Sequence, residues 1–256
     1  STFANNDLDL YAKKIWDNFF IDAGLTYNHQ RQSFYGFFDS TNIDKSTYLS
    51  PYHNIGGFVK YNSIYRSKTA LHNSANFAIN HTFNKWGRKE TRINANLDIH
   101  KNFNFLENDE QNIGLHLNYN QSLGNYTPKD LILFHNEGFN PETFDNKIGD
   151  VSIKPCANLN IKTIDLNLAL DFIPTFGDVS KFIFSPTATI ESPTLANILK
   201  IKAGITSQYN TPTLNSIRIE NPYISPLVKF ESNNQMNIFA KLYLITKSNI
   251  LLSLQG

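Results

Sequence analysis

The sequence predicts an all-β chain: a transmembrane, antiparallel, up-and-down β-barrel with at least eleven or twelve strands visible. Three observations predict it. Apolar and polar residues alternate with a period of two along nearly the whole chain, the pattern of strands with one dry and one wet face. The alternating segments run to about 9–12 residues, the span a tilted strand needs to cross a hydrocarbon layer, whereas soluble strands are commonly about 5–6. The polar positions are dense in Asn, Thr and Ser and sparse in charge. Only 18% of the 256 residues are charged, the net charge is +1, and 13% are aromatic, against a usual charged share of about a quarter. Roughly one residue in eight is Asn.

The first element is the weakest, around Asp7–Lys14, followed by segments at 20–31 and 55–65. In 75–84, Ala75, Phe77, Ile79 and Phe83 face away from Asn76, Ala78, Asn80, Thr82 and Asn84, with His81 the odd polar residue. In 93–100, Ile93, Ala95, Leu97 and Ile99 alternate with Asn94, Asn96, Asp98 and His100. In 113–120, Ile113, Leu115, Leu117 and Tyr119 oppose Gly114, His116, Asn118 and Asn120. After 151–161, with Asn160 on its polar side, comes the cleanest case: Ile164, Leu166, Leu168, Leu170 and Phe172 against Asp165, Asn167, Ala169 and Asp171. Segments at 182–191, 198–209, 237–246 and 249–256 complete the set. No window shows helical spacing, and none holds 18 apolar residues uninterrupted, which excludes a transmembrane helix.

Connections are expected to be short on one rim (Trp16–Asn18, 66–74, 104–111, Lys162-Thr163, 192–197, Lys247-Ser248). On the other rim they are longer at 32–54, 122–150 and 210–236, and brief at 85–91 and 174–181. That asymmetry is the layout of an outer-membrane barrel. Aromatics fall near segment ends (Phe19, Phe20, Tyr27, Tyr61, Tyr65, Phe83, Trp86, Phe103, Phe105, Tyr119), where an amphipathic ring sits well at headgroup level. In lipid every backbone N–H and C=O needs a partner, which a closed sheet provides. The expectation is therefore one barrel domain over 1–256, with Leu97, Leu115, Leu117, Leu166, Leu168 and Leu170 facing lipid. Asn94, Asn96, Asn118, Asn160, Asn167, His100 and His116 would face a water-filled lumen. The opening Ser1-Thr2-Phe3-Ala4-Asn5-Asn6 lacks the basic-then-apolar order of a signal peptide, which is read as absent or already removed. The last residues, from Ile250 to Gly256, break off inside a strand-like pattern, so the chain is expected to be part of a longer barrel.

The residues offer little chemistry. The near-neutral charge gives no reason to expect nucleic acid. The single Cys156 excludes an internal disulfide framework. Of seven His, none forms an H-x-x-x-H pair, and His100 and His116 are placed on the polar faces of neighbouring strands. The acidic run Glu107-Asn108-Asp109-Glu110 lacks the glycine and frame of a calcium loop and reads as a solvated turn. No nucleophile elbow, phosphate loop or dinucleotide fingerprint occurs. Ser63, Ser185 and Asp171 do not assemble into a triad by spacing. The expectation is no enzyme, no cofactor and no metal. Lys60, Lys154, Lys200, Lys202 and Lys241 with Asp165 give a lining of mixed sign, which permits a polar channel without strong ionic selectivity.

One stretch carries a resemblance. Ile201-Lys202-Ala203-Gly204-Ile205, then Asn210-Thr211-Pro212-Thr213-Leu214, then Glu220-Asn221-Pro222-Tyr223-Ile224-Ser225-Pro226 resembles the C-terminal half of outer-membrane barrels of Bacteroidota. Those barrels are TonB-dependent-receptor-like but lack the plug. The resemblance is specific over about sixty residues and implies an outer-membrane location, with outer-membrane lipid and other outer-membrane or periplasmic proteins as partners. The expected function is a structural or accessory subunit of a larger outer-membrane complex for secretion, assembly or uptake. The alternatives are a porin or TonB-dependent-receptor-like transporter for small solutes, a secreted β-sandwich adhesin or carbohydrate binder, and a rim-active hydrolase.

Overall fold

In the computed structural model, the described residues are 4–33, 49–64, 70–84, 87–106, 109–126, 144–161, 163–178, 180–194, 199–211, 232–245 and 251–255. They form twelve strands: β1 (Ala4–Ile15), β2 (Phe19–Ser33), β3 (Leu49–Ser63), β4 (Leu71–Asn84), β5 (Arg88–Leu106), β6 (Asp109–Tyr126), β7 (Phe144–Ile161), β8 (Ile164–Gly177), β9 (Phe182–Glu191), β10 (Leu199–Asn210), β11 (Asn233–Ile245) and β12 (Leu251–Gln255). All lie in one sheet in chain order, and each pairs antiparallel with the next. The described residues contain no helix and no second layer. The up-and-down all-β expectation holds. Among the described residues β1 and β12 do not pair with each other, so these strands form an arc of wall and not a closed ring.

The strands are longer than the alternation alone indicates. β5 runs 19 residues and β6 runs 18, absorbing positions 88–91, 104–106, 109–111 and 122–126 that read as connections. At 88–91 and 109–111 polar residues occupy both faces, which hides the period while leaving the backbone ladder intact. Asp109 and Glu110 of the acidic run open β6 across an irregular register at Asn104/Leu106, while Glu107 and Asn108 lie outside the described residues.

The two rims differ as expected. On one, β1–β2 turns through Trp16–Asn18, where Trp16 N–H donates to the Phe19 carbonyl at 2.8 Å. At the β7–β8 turn on that rim, Thr163 N–H donates to the Ile161 carbonyl at 2.8 Å. Lys162, Lys247 and Ser248 lie outside the described residues. On the other rim the intervals between β2 and β3, β6 and β7, and β10 and β11 are long. The interval between β4 and β5 there is short. Gly87 takes φ +88°, the left-handed region open to glycine, and the Asn84 Oδ1 accepts Arg88 N–H at 2.9 Å.

At the short-turn rim Gln111 substitutes for a peptide unit. It is fully buried; its Nε2 donates to the Asn160 carbonyl at 2.6 Å and its Oε1 accepts Asn160 N–H at 2.8 Å. The side-chain amide thus extends the β6–β7 ladder beyond Asn112, which pairs with Asn158. Gln111→Ala leaves both backbone groups of Asn160 unpaired and is expected to cost about 1–3 kcal/mol, read as a lower urea midpoint of the detergent-solubilised protein.

Candidate functional site: a polar face under a loop-bearing rim

Directly paired residues point to the same side of a sheet, so the registers sort every strand residue onto one of two faces. One face carries Leu10, Leu25, Val59, Phe77, Ile93, Tyr119, Ile153, Phe172, Phe184 and Ile205. Leu97 pairs with Leu117, and Leu115 with Ile99, on this face. Leu166, Leu168 and Leu170 are also on it, paired with Ile190, Ala188 and Pro186. The other face carries Asn94 opposite Asn120, Asn96 opposite Asn118, Asn160 opposite Asp165, and Asn167 opposite Thr189. His100, opposite Gly114, and His116, opposite Asp98, share that face.

Burial is inverted relative to a soluble domain. On the apolar face Ile55 is 51% exposed, Phe184 48% and Leu170 44%. On the polar face Asp150 is fully buried and Glu90 is 4% exposed, with Thr82, Ser152, Thr175, Ser185 and Thr189 also buried. A single sheet hides its polar side only by curling with that side inward. Two packed sheets would hide the apolar residues instead, so the β-sandwich expectation does not describe these strands.

Hydrogen bonds knit the polar face across strands. Asn94 donates to Asn120, Asn120 Nδ2 donates to Asp150 Oδ1 at 2.9 Å, and Thr211 Oγ1 donates to Asp150 Oδ2 at 2.8 Å. Asp150 thereby ties the base of the β10–β11 connection to β7, and these contacts offset the cost of a buried carboxylate. Ser122 Oγ donates to Glu90 at 2.5 Å, Ser152 Oγ to Asp171 at 2.5 Å, Asn112 to Asn102 at 2.7 Å and Asn160 Nδ2 to Asp165 at 2.8 Å. Lys202 reaches Glu191 at 3.0 Å, and Lys200 pairs with the same carboxylate. Lys60, Lys154 and Lys241 share the polar face by register, so it carries both signs.

His100 and His116 sit on adjacent strands but do not bond to each other. His116 Nδ1 pairs with Asp98, which also accepts Ser74 Oγ at 3.4 Å. His100 stacks on His72 of β4, with ring centroids 4.7 Å apart. Cys156 faces Gly114 in the neighbouring strand. Ser185 and Asp171 pair in register, whereas Ser63 occupies the opposite face, so those three do not converge. Among the described residues no group of three His, Cys, Asp or Glu is arranged to hold a metal ion.

Some of the aromatics expected near strand ends make ring contacts across strands. At the short-turn rim Trp16 stacks on Phe19 at 4.7 Å, and Phe19 meets Tyr61 at 5.6 Å. Lys14 lies over Trp16 and Lys101 over Phe103. At the loop-bearing rim His53 stacks between His29 (4.8 Å) and Phe83 (5.0 Å). Tyr119 lies well inside β6, not at its end, and stacks on Phe176 at 6.0 Å. Tyr65 and Trp86, the side chain of Phe105, and Pro212–Leu214 and Glu220–Pro226 of the resemblance lie outside the described residues. The outward-facing histidines, the His72–His100 stack and the Asp150 network were missed in the sequence, because each depends on cross-strand register.

No family model and no curated protein matches the chain. Solved structures do. The ferripyoverdine receptor FpvA of Pseudomonas aeruginosa superposes with a TM-score of 0.62 at 11% identity, covering 96% of this chain and 40% of that one. The siderophore receptor PirA of Pseudomonas aeruginosa gives 0.59 at 14%, covering 94% and 42%. The FrpB iron transporter of Neisseria meningitidis gives 0.61 at 9%, covering 94% and 43%. The chain thus spans about two fifths of the length of these structures. Its fold is that of a segment of outer-membrane β-barrel wall, as in these receptors.

Proposed function

We propose that the chain forms part of the wall of a bacterial outer-membrane transport barrel, a TonB-dependent-receptor-like carrier for a small solute. The observation that carries the reading is the inverted burial: apolar side chains lie exposed along one face while a hydrogen-bonded polar network fills the other. In this reading Leu97, Leu115, Leu117, Leu166, Leu168 and Leu170 contact lipid. Asn94, Asn96, Asn118, Asn160, Asn167, His100 and His116 line the lumen, and the long connections lie at the outer surface, where solute first arrives.

The likeness to siderophore and iron receptors favours a transporter over the accessory subunit expected from the sequence, and makes ferric chelates the first solute class to test. The lumen is suited to polar cargo, because its Asn amides offer donors and acceptors and its charges are balanced. Cells lacking the protein, starved of iron and given radiolabelled ferric siderophores, are expected to accumulate less label, with recovery on complementation. Unchanged uptake across a panel of chelates, with the barrel demonstrably present in the complemented membrane, contradicts the carrier reading.

A further inference from the structure

We propose that the outward face of β2–β5, at the loop-bearing rim, is a binding site for the phosphate-bearing headgroup of an anionic membrane lipid. The inference rests on the orientation given under the proposed function. Register places Asn6, His29, His53, Phe83 and Lys89 in one cross-strand row on the apolar side of the sheet. Arg31 lies one position beyond this row, and Tyr27 and His81 one position toward the apolar belt.

The row is organised. His29, His53 and Phe83 form a continuous ring stack, and the Tyr27 hydroxyl is 2.9 Å from His53 Nδ1. His81 Nδ1 lies 2.9 Å from Thr91 Oγ1. Arg31 and Lys89 are exposed at the two ends, and the imidazoles between them are half-buried. Five basic groups therefore stand on four adjacent strands. Among the described residues of β1–β6 no carboxylate shares this rim of the outward face. The first is Asp145 of β7, which accepts Asn125 Nδ2 at 2.6 Å.

Immediately inward the same face is greasy and open, with Leu25 and Ile55 more than half exposed and Phe77 and Ile79 nearly so. A cationic, donor-rich band directly above an apolar belt matches an amphiphile with an anionic head and acyl tails. Arg and Lys supply charge-assisted hydrogen bonds to phosphate oxygens, the imidazoles supply N–H donors, and the belt seats the chains. Among the described residues the short-turn rim has no such band: the outward cations described there, Lys14 and Lys101, stand on β1 and β5, and each lies over an aromatic ring.

The test is a lipid titration of the whole protein, purified in detergent from the outer membrane and read by native mass spectrometry. The probes are short-chain phosphatidylglycerol, short-chain phosphatidylcholine and inorganic phosphate. Phosphatidylglycerol is expected to bind in preference to phosphatidylcholine. The double variant Arg31→Gln/Lys89→Gln should weaken it about tenfold or more, and Lys101→Gln at the opposite rim should leave it unchanged. Undiminished binding in the double variant, or an equal loss in Lys101→Gln, overturns the headgroup site. So does full competition by inorganic phosphate, which would mean that the site takes a free anion. Failure of the wild-type protein to retain either lipid strikes at the membrane reading itself, and is thereby distinguishable.

Discussion

Leu168→Arg is expected to lower the stability of the membrane-inserted protein by about 2–4 kcal/mol, the cost of a cation on the lipid face near the bilayer midplane. Leu168 lies within β8 between Ala157 of β7 and Ala188 of β9 on the same face. Its small neighbours leave the side chain 38% exposed and give a guanidinium nothing to pair with. Asn167→Arg, one residue away on the polar face, serves as the control. There the new charge enters the hydrogen-bonded polar face beside Thr189 and should cost about 1 kcal/mol or less. Equilibrium urea unfolding of the protein in lipid vesicles measures both. A near-zero change for Leu168→Arg, or equal changes for the pair, counts against a lipid-facing apolar side.

Gly177→Ala is expected to destabilise by about 2 kcal/mol or more, through the backbone alone. Gly177 ends β8 with φ +109°, a conformation in which an L side chain costs about 1–2 kcal/mol. A Cβ there would also fall onto the Lys147 carbonyl. That carbonyl accepts Asp178 N–H at 2.7 Å, while Lys147 N–H donates to Asp178 Oδ2 at 3.0 Å. The clash cannot be relieved without disturbing the contacts that close the end of β8 on β7. Gly124→Ala, where the nearest atom to a new Cβ is at 3.4 Å, is the comparison and should change stability by less than about 1 kcal/mol. The unfolding midpoints of the two variants decide it. Equal midpoints would remove the strain argument.

The alternation in Ile164–Phe172 was readable because hydrophobicity changes at every step, and β8 begins where the pattern begins. At Arg88–Arg92 both faces are polar, so the period vanishes although the ladder continues, and β5 starts earlier than composition indicates. Proline hid structure differently. Pro155 and Pro174 have no N–H to give, and the β7–β8 pairing is interrupted beside them, yet both strands run on. The faces of Leu97 and Asn96 were legible from local period alone. The partners of polar residues were not: His116 bonds Asp98 and not His100 because of a register that no local pattern encodes. The outward histidines look like exceptions in a list of apolar positions, and become a row only when β2, β3 and β4 are laid side by side.

The orientation of the two faces is most directly tested by nitroxide labels at single cysteines, in a Cys156→Ser background, at 96, 97, 117 and 118 of the protein in lipid vesicles. Labels at 97 and 117 should be relaxed by oxygen dissolved in the bilayer, and labels at 96 and 118 by a water-soluble nickel chelate. A uniform response at all four positions, or the reverse assignment, would contradict a wall with oil on one side and water on the other.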